Sequence, residues 1–280
     1  MKTLTRILML VVLFTGLDVM AARAQDDQEY KKAYNSGLEA AKAKKYDEAY
    51  QAFSRAVQLA KQAGDADVQS RALKIMTQLD YARGTSDLKA ENWAAAIQDF
   101  DKGIANDPKY AKNYYGKAMA LKNQNNWPEA LAMYKKAIEV ATASGERDVA
   151  QQAQGAIRDQ YIFLASSALA GDGGNPTRAG ATAALEHLAA AEQELPSPDA
   201  DVFYYRAEAY KVLGEYDQAV AAADRALELH TGSKTDKAKI YFVKGEALML
   251  NGNNDAAKLA FQEAQFGNFK ASAQHYLETL

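Results

Sequence analysis

A pattern of small and aromatic residues recurs along the chain at helical spacing. Residues 44–59 (KKYDEAYQAFSRAVQL), 91–108 (ENWAAAIQDFDKGIANDP), 125–140 (NNWPEALAMYKKAIEV) and 214–229 (GEYDQAVAAADRALEL) align with one another. In each, an aromatic (Tyr46, Trp93, Trp127, Tyr216) precedes an alanine by three residues: Ala49, Ala96, Ala130, Ala219. Four residues later stands Phe53, Phe100, Tyr134 or Ala223, and three further on Ala56, Gly103, Ala137 or Ala226. Steps of three and four put these positions on one face of a helix. The small residues let a neighbouring helix come close, and the ring fills the space between. No segment alternates with period two, and all five prolines fall at inferred helix ends or in an insertion. The pattern predicts an all-α chain of paired amphipathic helices.

It resembles the tetratricopeptide repeat, a 34-residue helix–turn–helix unit. That family places a bulky residue at position 4, a small one at 8, aromatics at 17 and 24, alanine at 20 and 27, and often proline at 32. Counting back from the alanines starts repeats at Tyr30, Thr77, Ala111, Ala200 and Ala238. Position 8 is then Gly37, Gly84, Ala118, Ala207 and Gly245, small in every case although these residues did not set the register. The last repeat keeps Tyr241, Ala257, Phe261 and Ala264 but has Asn254 at position 17.

A longer period overlies this one. Gly64-Asp65-Ala66-Asp67-Val68 returns 81 residues on as Gly145-Glu146-Arg147-Asp148-Val149. Each glycine can end a helix and each acidic residue can start the next. Shifting Thr77 by 81 predicts another repeat at Arg158, with Tyr161 at position 4 and Ala165 at position 8. Counting back from Pro196 puts Ala184 and Ala191 at 20 and 27, which requires seven extra residues, assigned to 171–180 (GDGGNPTRAG). The expected organisation is a single superhelical solenoid over 25–280, with repeats at about 30–63, 77–110, 111–144, 158–198, 200–233 and 238–271. A capping helix closes it at 270–280, with Lys270, Gln274, His275 and Glu278. Stacking supplies the core of such an array, and its ends need polar caps.

The first 24 residues read as a cleavable secretory signal peptide. Lys2 and Arg6 precede the apolar run Ile7–Leu17, which is too short to cross a bilayer. Ala22-Arg23-Ala24 supplies small residues before a cut at Gln25. The expected location is periplasmic or secreted. Without the leader, which holds three basic and one acidic residue, the net charge moves from −3 to −5. There is no cysteine, which excludes disulfides, cysteine-ligated metals, a cysteine nucleophile and lipoprotein anchoring. A mildly acidic chain lacks the basic footprint of a nucleic-acid binder.

In the family this chain resembles, the first helix of each repeat lines a concave groove that holds peptides or partner helices. Positions 2, 5, 9, 12 and 13 commonly face it. Position 5 maps to Tyr34, Tyr81, Tyr115, Ile162, Tyr204 and Phe242. Such a ladder offers flat contact surface with hydroxyl handles, though the same rings can pack adjacent helices. The first three repeats add Lys31, Lys42, Lys89, Lys112 and Lys122 with Asn35, Gln78 and Asn123, and no acidic residue at those positions. The later repeats bring Asp201, Glu208 and Glu246 beside Lys211 and Lys239. A basic inner half on an acidic chain suggests an acidic segment or a C-terminal carboxylate as ligand. Some family members clamp the carboxylate of heat-shock chaperones with fixed asparagines. Leu38 and Ala82 stand at two of those places, which argues against that ligand.

Little points to catalysis. His187, His230 and His275 lie in different repeats with no partner at metal spacing. Residues 171–176 (GDGGNP) lack the lysine and hydroxyl of a phosphate loop and read as an insertion, with Asp172 and Asn175 as candidate ion contacts. No cofactor is expected. The leading reading is a non-catalytic protein–protein interaction module scaffolding a cell-envelope complex. A glycan-binding protein and a helical hydrolase are the alternatives.

Overall fold

The computed structural model describes residues 29–171, 174–197 and 199–280; the expected leader lies outside them. The described residues form helices and turns, with no strand among them. The chain divides after Ala153 into two compact units. Unit 1 holds α1 (29–42), α2 (Tyr46–Ala63), α3 (Ala66–Lys89), α4 (Trp93–Asn106), α5 (Ala111–Asn123), α6 (Trp127–Ser144) and the first turns of α7 (Arg147–Ala170). Unit 2 holds the remainder of α7, then α8 (Arg178–Glu194), α9 (Ala200–Leu213), α10 (Tyr216–Leu229), α11 (Lys234–Leu250), α12 (Asn254–Glu263), a 3-10 turn (Gly267–Phe269) and α13 (Lys270–Thr279). Within each unit, successive helices pack in antiparallel pairs of the tetratricopeptide kind.

The positions picked out by period form the core. Ala49, Phe53, Ala56, Ala96, Phe100, Ala130, Ala137, Ala219, Ala223, Ala226, Ala257 and Phe261 are fully buried. In the fourth repeat, Ala184 and Ala191 are buried with Leu188 between them in the ring position. The ring of the second helix needs space on the first. A Cβ added at Gly37 would lie 2.8 Å from Phe53, and one at Gly84 or Gly245 would lie 2.7 Å from Phe100 or Phe261.

The long period has a structural cause. Gly64 and Gly145 both take left-handed backbone with φ of 77° and end α2 and α6. The amide of Asp65 bonds back to the carbonyl of Ala60 at 2.9 Å, and its carboxylate accepts the Val68 amide at 3.0 Å. The helix so started does not stop before the next repeat: α3 and α7 each run 24 residues. Both begin eleven residues ahead of the repeat starts inferred at Thr77 and Arg158. Three extra turns thus replace the loop a shorter connection would need. In the fourth repeat α7 ends at Ala170 and α8 starts at Arg178, inside the segment 171–180 to which the seven extra residues are assigned. Asp172, the candidate ion contact, lies outside the described residues.

One buried polar cluster departs from the repeat pattern. Asp80 occupies position 4, where a bulky apolar residue is usual, and is fully buried. Its Oδ2 accepts from Asn106 Nδ2 at 2.9 Å, and its Oδ1 has no protein partner. Asp99, also buried, accepts from Lys102 at 2.7 Å and faces Arg83 at 3.5 Å. Arg83 in turn lies 3.8 Å from Asp47 and over the ring of Tyr50. Burial, then the nearby Asp99 charge, pushes Asp80 up to about 6 against the bond from Asn106.

Two backbone substitutions should act in opposite directions. Position 15 closes the turn between paired helices with left-handed backbone: φ is 58° at Lys44, 61° at Glu91 and 60° at Asn125, against 78° and 80° at Gly214 and Gly252. Glu91→Gly should stabilise by about 1 kcal/mol by relieving a side chain from that region. Gly84→Ala should destabilise by about 1–3 kcal/mol through overpacking on Phe100, despite alanine's better helix propensity. Urea unfolding measures both, and a neutral Gly84→Ala would show that the ring contact is slack. Asp80 adds a pH dependence. Its folded value lies above the unfolded one, so its stabilising contribution is complete below about pH 4 and is lost as pH rises through about 6. Asp80→Asn should remove about 2–3 kcal/mol of that dependence. The test is the difference in unfolding midpoint between wild type and variant from pH 4 to 7.5.

Candidate functional site

In unit 1 the first helices of three repeats are α1, the later turns of α3, and α5. Each places its position-5 ring against the ring of its own second helix. Tyr34 meets Phe53 edge-to-face with centroids 5.5 Å apart, Tyr81 lies 6.1 Å from Phe100, and Tyr115 lies 5.8 Å from Tyr134. All three rungs are half-buried, so each serves packing on one side and surface on the other. The ladder is therefore built into the core.

The lysines named from the sequence differ in their surroundings. Lys31 is exposed, with its Nζ 5.5 Å from the ring centre of Tyr30. Lys42 pairs with Glu39 on its own helix at 3.3 Å. Lys89 and Lys112 are exposed, Lys122 is half-buried, and none of the three forms an ion pair among the described residues. Asn35, Gln78 and Asn123 stay exposed.

Tyr81, Lys112 and Tyr115 come together in an open trough of about 480 Å³. Its other wall is the start of α7: Gly145, Glu146, Arg147, Asp148, Val149 and Gln152. These residues lie outside the groove positions read from the repeat pattern. They add acid beside the groove positions of the first three repeats, which themselves carry none, because Glu146 and Asp148 reach the trough from the helix extension. The Gly145–Val149 motif was the available signal, since its recurrence marks where an extra helical segment begins. Arg147 is exposed and forms no ion pair among the described residues.

Unit 2 uses the corresponding side chains on one another. Lys239 pairs with Asp201 at 2.7 Å and sits 4.7 Å over the ring of Tyr204. Lys211 lies between Glu208 at 2.8 Å and Glu246 at 2.6 Å. Burial opposes its charge, but the two carboxylates outweigh that and raise it. Tyr204 is raised chiefly by burial and then by Glu208, to which its hydroxyl donates at 3.4 Å. Phe242 is enclosed by Phe261, Phe269 and Tyr276, with centroids 5.7, 5.2 and 5.9 Å away. Tyr276 belongs to α13, whose Lys270, Gln274, His275 and Glu278 are exposed, as a cap requires. Tyr204 and Phe242 are thus taken up largely by their own chain.

No group of three or more His, Cys, Asp or Glu among the described residues is placed to hold a metal ion. His230 accepts from the Gly232 amide at 2.8 Å, His275 is exposed and His187 is half-buried. No described helix is long and apolar enough to cross a membrane.

Comparison with known proteins agrees with this geometry. The family model described as Tetratricopeptide repeat matches residues 81–157 and 204–275, more than half of the chain. No curated protein sequence matches. Among solved structures, the MamA protein is 20% identical, with 72% of this chain and 95% of that one covered and a TM-score of 0.39. YrrB, described as a TPR protein with an unusual peptide-binding site, is 16% identical, covers 82% and 98%, and has a TM-score of 0.38. A tetratricopeptide repeat protein from Parabacteroides merdae ATCC 43184 is 12% identical, covers 90% and 98%, and has a TM-score of 0.33. Resemblance at this level concerns the repeat fold alone. Proteins of this kind generally mediate protein–protein interactions. The fold, the repeat register and the family match lead to one assignment: this chain belongs to the tetratricopeptide repeat family.

Proposed function

We propose that the inner face of unit 1 binds an extended, partly acidic segment of a partner protein, and that the chain acts as a non-catalytic module assembling a complex in the cell envelope. The observation that carries this reading is the contrast in charge pairing. Lys89, Lys112 and Lys122 have no ionic partner among the described residues, whereas Lys211 and Lys239 at equivalent places in unit 2 are neutralised by Glu208, Glu246 and Asp201. Lysines without a carboxylate in reach gain most from a ligand that brings one. Glu146 and Asp148 set a limit: the segment carries mixed rather than uniform acidity. The half-buried rungs add low-entropy contact area. Their ring contacts within the unit weigh against open stacking on sugars. Exchangeable binding of this kind falls on the order of micromolar affinity.

Titration with an acidic peptide should show affinity falling as salt rises from about 50 to about 500 mM. Lys89→Ala plus Lys112→Ala should weaken it by about tenfold, and so should Tyr81→Ala plus Tyr115→Ala in variants that keep the helical spectrum. Affinity indifferent to salt and to the lysine pair would remove the electrostatic basis of the proposal. The envelope location rests on the leader-like residues 1–24, and the mass of the protein recovered from its native source should correspond to a chain starting at Gln25. Recovery of the full-length chain would contradict it.

A further inference from the structure

The 81-residue period allows the starts of the two long helices to be compared residue by residue. In repeat 1, Arg71 of α3 pairs with Asp67 one turn before it. Its guanidinium lies over the ring of Tyr34, 5.9 Å from the centre. Counting 81 residues on, Tyr115 stands for Tyr34, Asp148 for Asp67 and Gln152 for Arg71. The register is kept, since Val68 and Val149 are both buried, and Tyr34 and Tyr115 each meet the ring of their own second helix. The arginine is the member of this trio that repeat 3 lacks.

That place is open in repeat 3, where Tyr115, Asp148 and Gln152 all line the trough of about 480 Å³. Asp148 is exposed and its carboxylate forms no ion pair among the described residues. Gln152, also exposed, is neutral and leaves that carboxylate uncompensated. Tyr81 comes from the preceding repeat, a neighbour that repeat 1 does not have among the described residues, and gives the trough a second aromatic side. Charge along the trough is balanced, with Glu146 and Asp148 against Lys112 and Arg147. Glu146 accepts from Ser144 at 2.9 Å, whereas Lys112 and Arg147 have no ionic partner among the described residues. A segment complementary to such a surface carries both signs of charge itself.

We infer that this trough receives an arginine side chain of the partner segment, held as the chain holds its own Arg71 in repeat 1. The guanidinium lies over Tyr115 and pairs with Asp148, while Lys112 and Arg147 meet carboxylates that flank the arginine in the ligand. This rests on the reading of unit 1 as a groove for a partly acidic segment and names the basic residue that the segment carries. Arginine suits the place better than lysine, because a planar guanidinium can lie on an aromatic face and offer a carboxylate two N–H groups at once. An exposed ion pair adds little by itself, so the ring contact is needed for a measurable preference.

The test uses three fluorescent peptides with the same acidic residues and arginine, lysine or citrulline at one central place. Citrulline keeps the planar shape without the charge. The arginine peptide should bind about fivefold more tightly than the citrulline peptide, with the lysine peptide between them. Added positive charge alone would weaken binding to the groove lysines, so that order is not a general effect of charge. Asp148→Asn should remove the preference for arginine while leaving the salt dependence in place. Gln152→Arg restores the repeat 1 side chain at an exposed helical position. It should satisfy Asp148 from within the chain and erase the preference as well. Salt-sensitive binding that is equal for the three peptides, or an arginine preference that survives Asp148→Asn, would overturn the arginine seat and leave the acidic groove standing. Binding of none would overturn both.

Discussion

Each repeat depends on how closely its first helix can approach the side chain presented by its second. Where that side chain is phenylalanine, as at Phe53, Phe100 and Phe261, the facing residue is Gly37, Gly84 or Gly245. Where it is Tyr134, Leu188 or Ala223, the facing residue is Ala118, Ala165 or Ala207. The three phenylalanine–glycine pairs are the closest of these approaches, as interiors packed at near-crystalline density require, while Tyr134 is accommodated with an alanine opposite. Phe100 takes the constraint further, since a Cβ at Gly116 in the next repeat would fall 2.4 Å from its ring. One ring thereby fixes the spacing within a repeat and between two repeats. The inner surface inherits that geometry, because the position-5 rungs rest on these same rings.

The core was legible in the sequence for a simple reason. Close packing tolerates few residue types, and Ala49, Phe53 and Ala56 repeat at intervals that only a helix can place together. The caps were legible too, since Gly64 and Asp65 perform local chemistry that requires no distant partner. Two things were not. The length of α3 and α7 escaped because helix extension has no signature of its own once a cap has been passed. The charge balance of the inner face escaped because it depends on which carboxylate meets which lysine across elements. Lys211 and Glu246 are 35 residues apart and Lys239 and Asp201 are 38 apart, and pairing of that kind is set by stacking. The acids at Asp201, Glu208 and Glu246 close a network in unit 2, while Lys89, Lys112 and Lys122 of unit 1 form no ion pair among the described residues.

That difference has a physical meaning. In unit 2, burial would isolate Lys211 if its carboxylates were absent, so the network is part of what holds α9, α11 and α13 in place. Breaking it for a ligand would cost two well-placed ion pairs. In unit 1, Lys89 and Lys112 are exposed and form no ion pair among the described residues, so at those two lysines a ligand displaces hydration and breaks no ion pair. Asp80 shows the same logic inverted. A carboxylate at a core position with one oxygen unpartnered is a liability to stability, confined to the contact of α3 and α4 and remote in role from the inner face.

The long helices link the fold to the site. A repeat joined to the next by a short loop leaves the ends of its two helices open to solvent. Here the chain caps α2 and α6 and immediately starts a 24-residue helix, so the first turns of that helix run beside the preceding first helix as an added wall. The wall encloses a buried seam in both places, with different side chains. With Tyr30 the space is filled and its hydroxyl satisfies Asp65. With Ala111 the seam is closed by Ala141, Val149 and Ala150, and the trough lies beside it, lined by Glu146, Arg147 and Asp148 of the wall and by Tyr81 and Tyr115. The seam therefore changes as a set, Tyr30 to Ala111 with Leu59 to Val140, Asp65 to Glu146 and Gln69 to Ala150, because a smaller residue on the first helix stays buried only where its neighbours close on it.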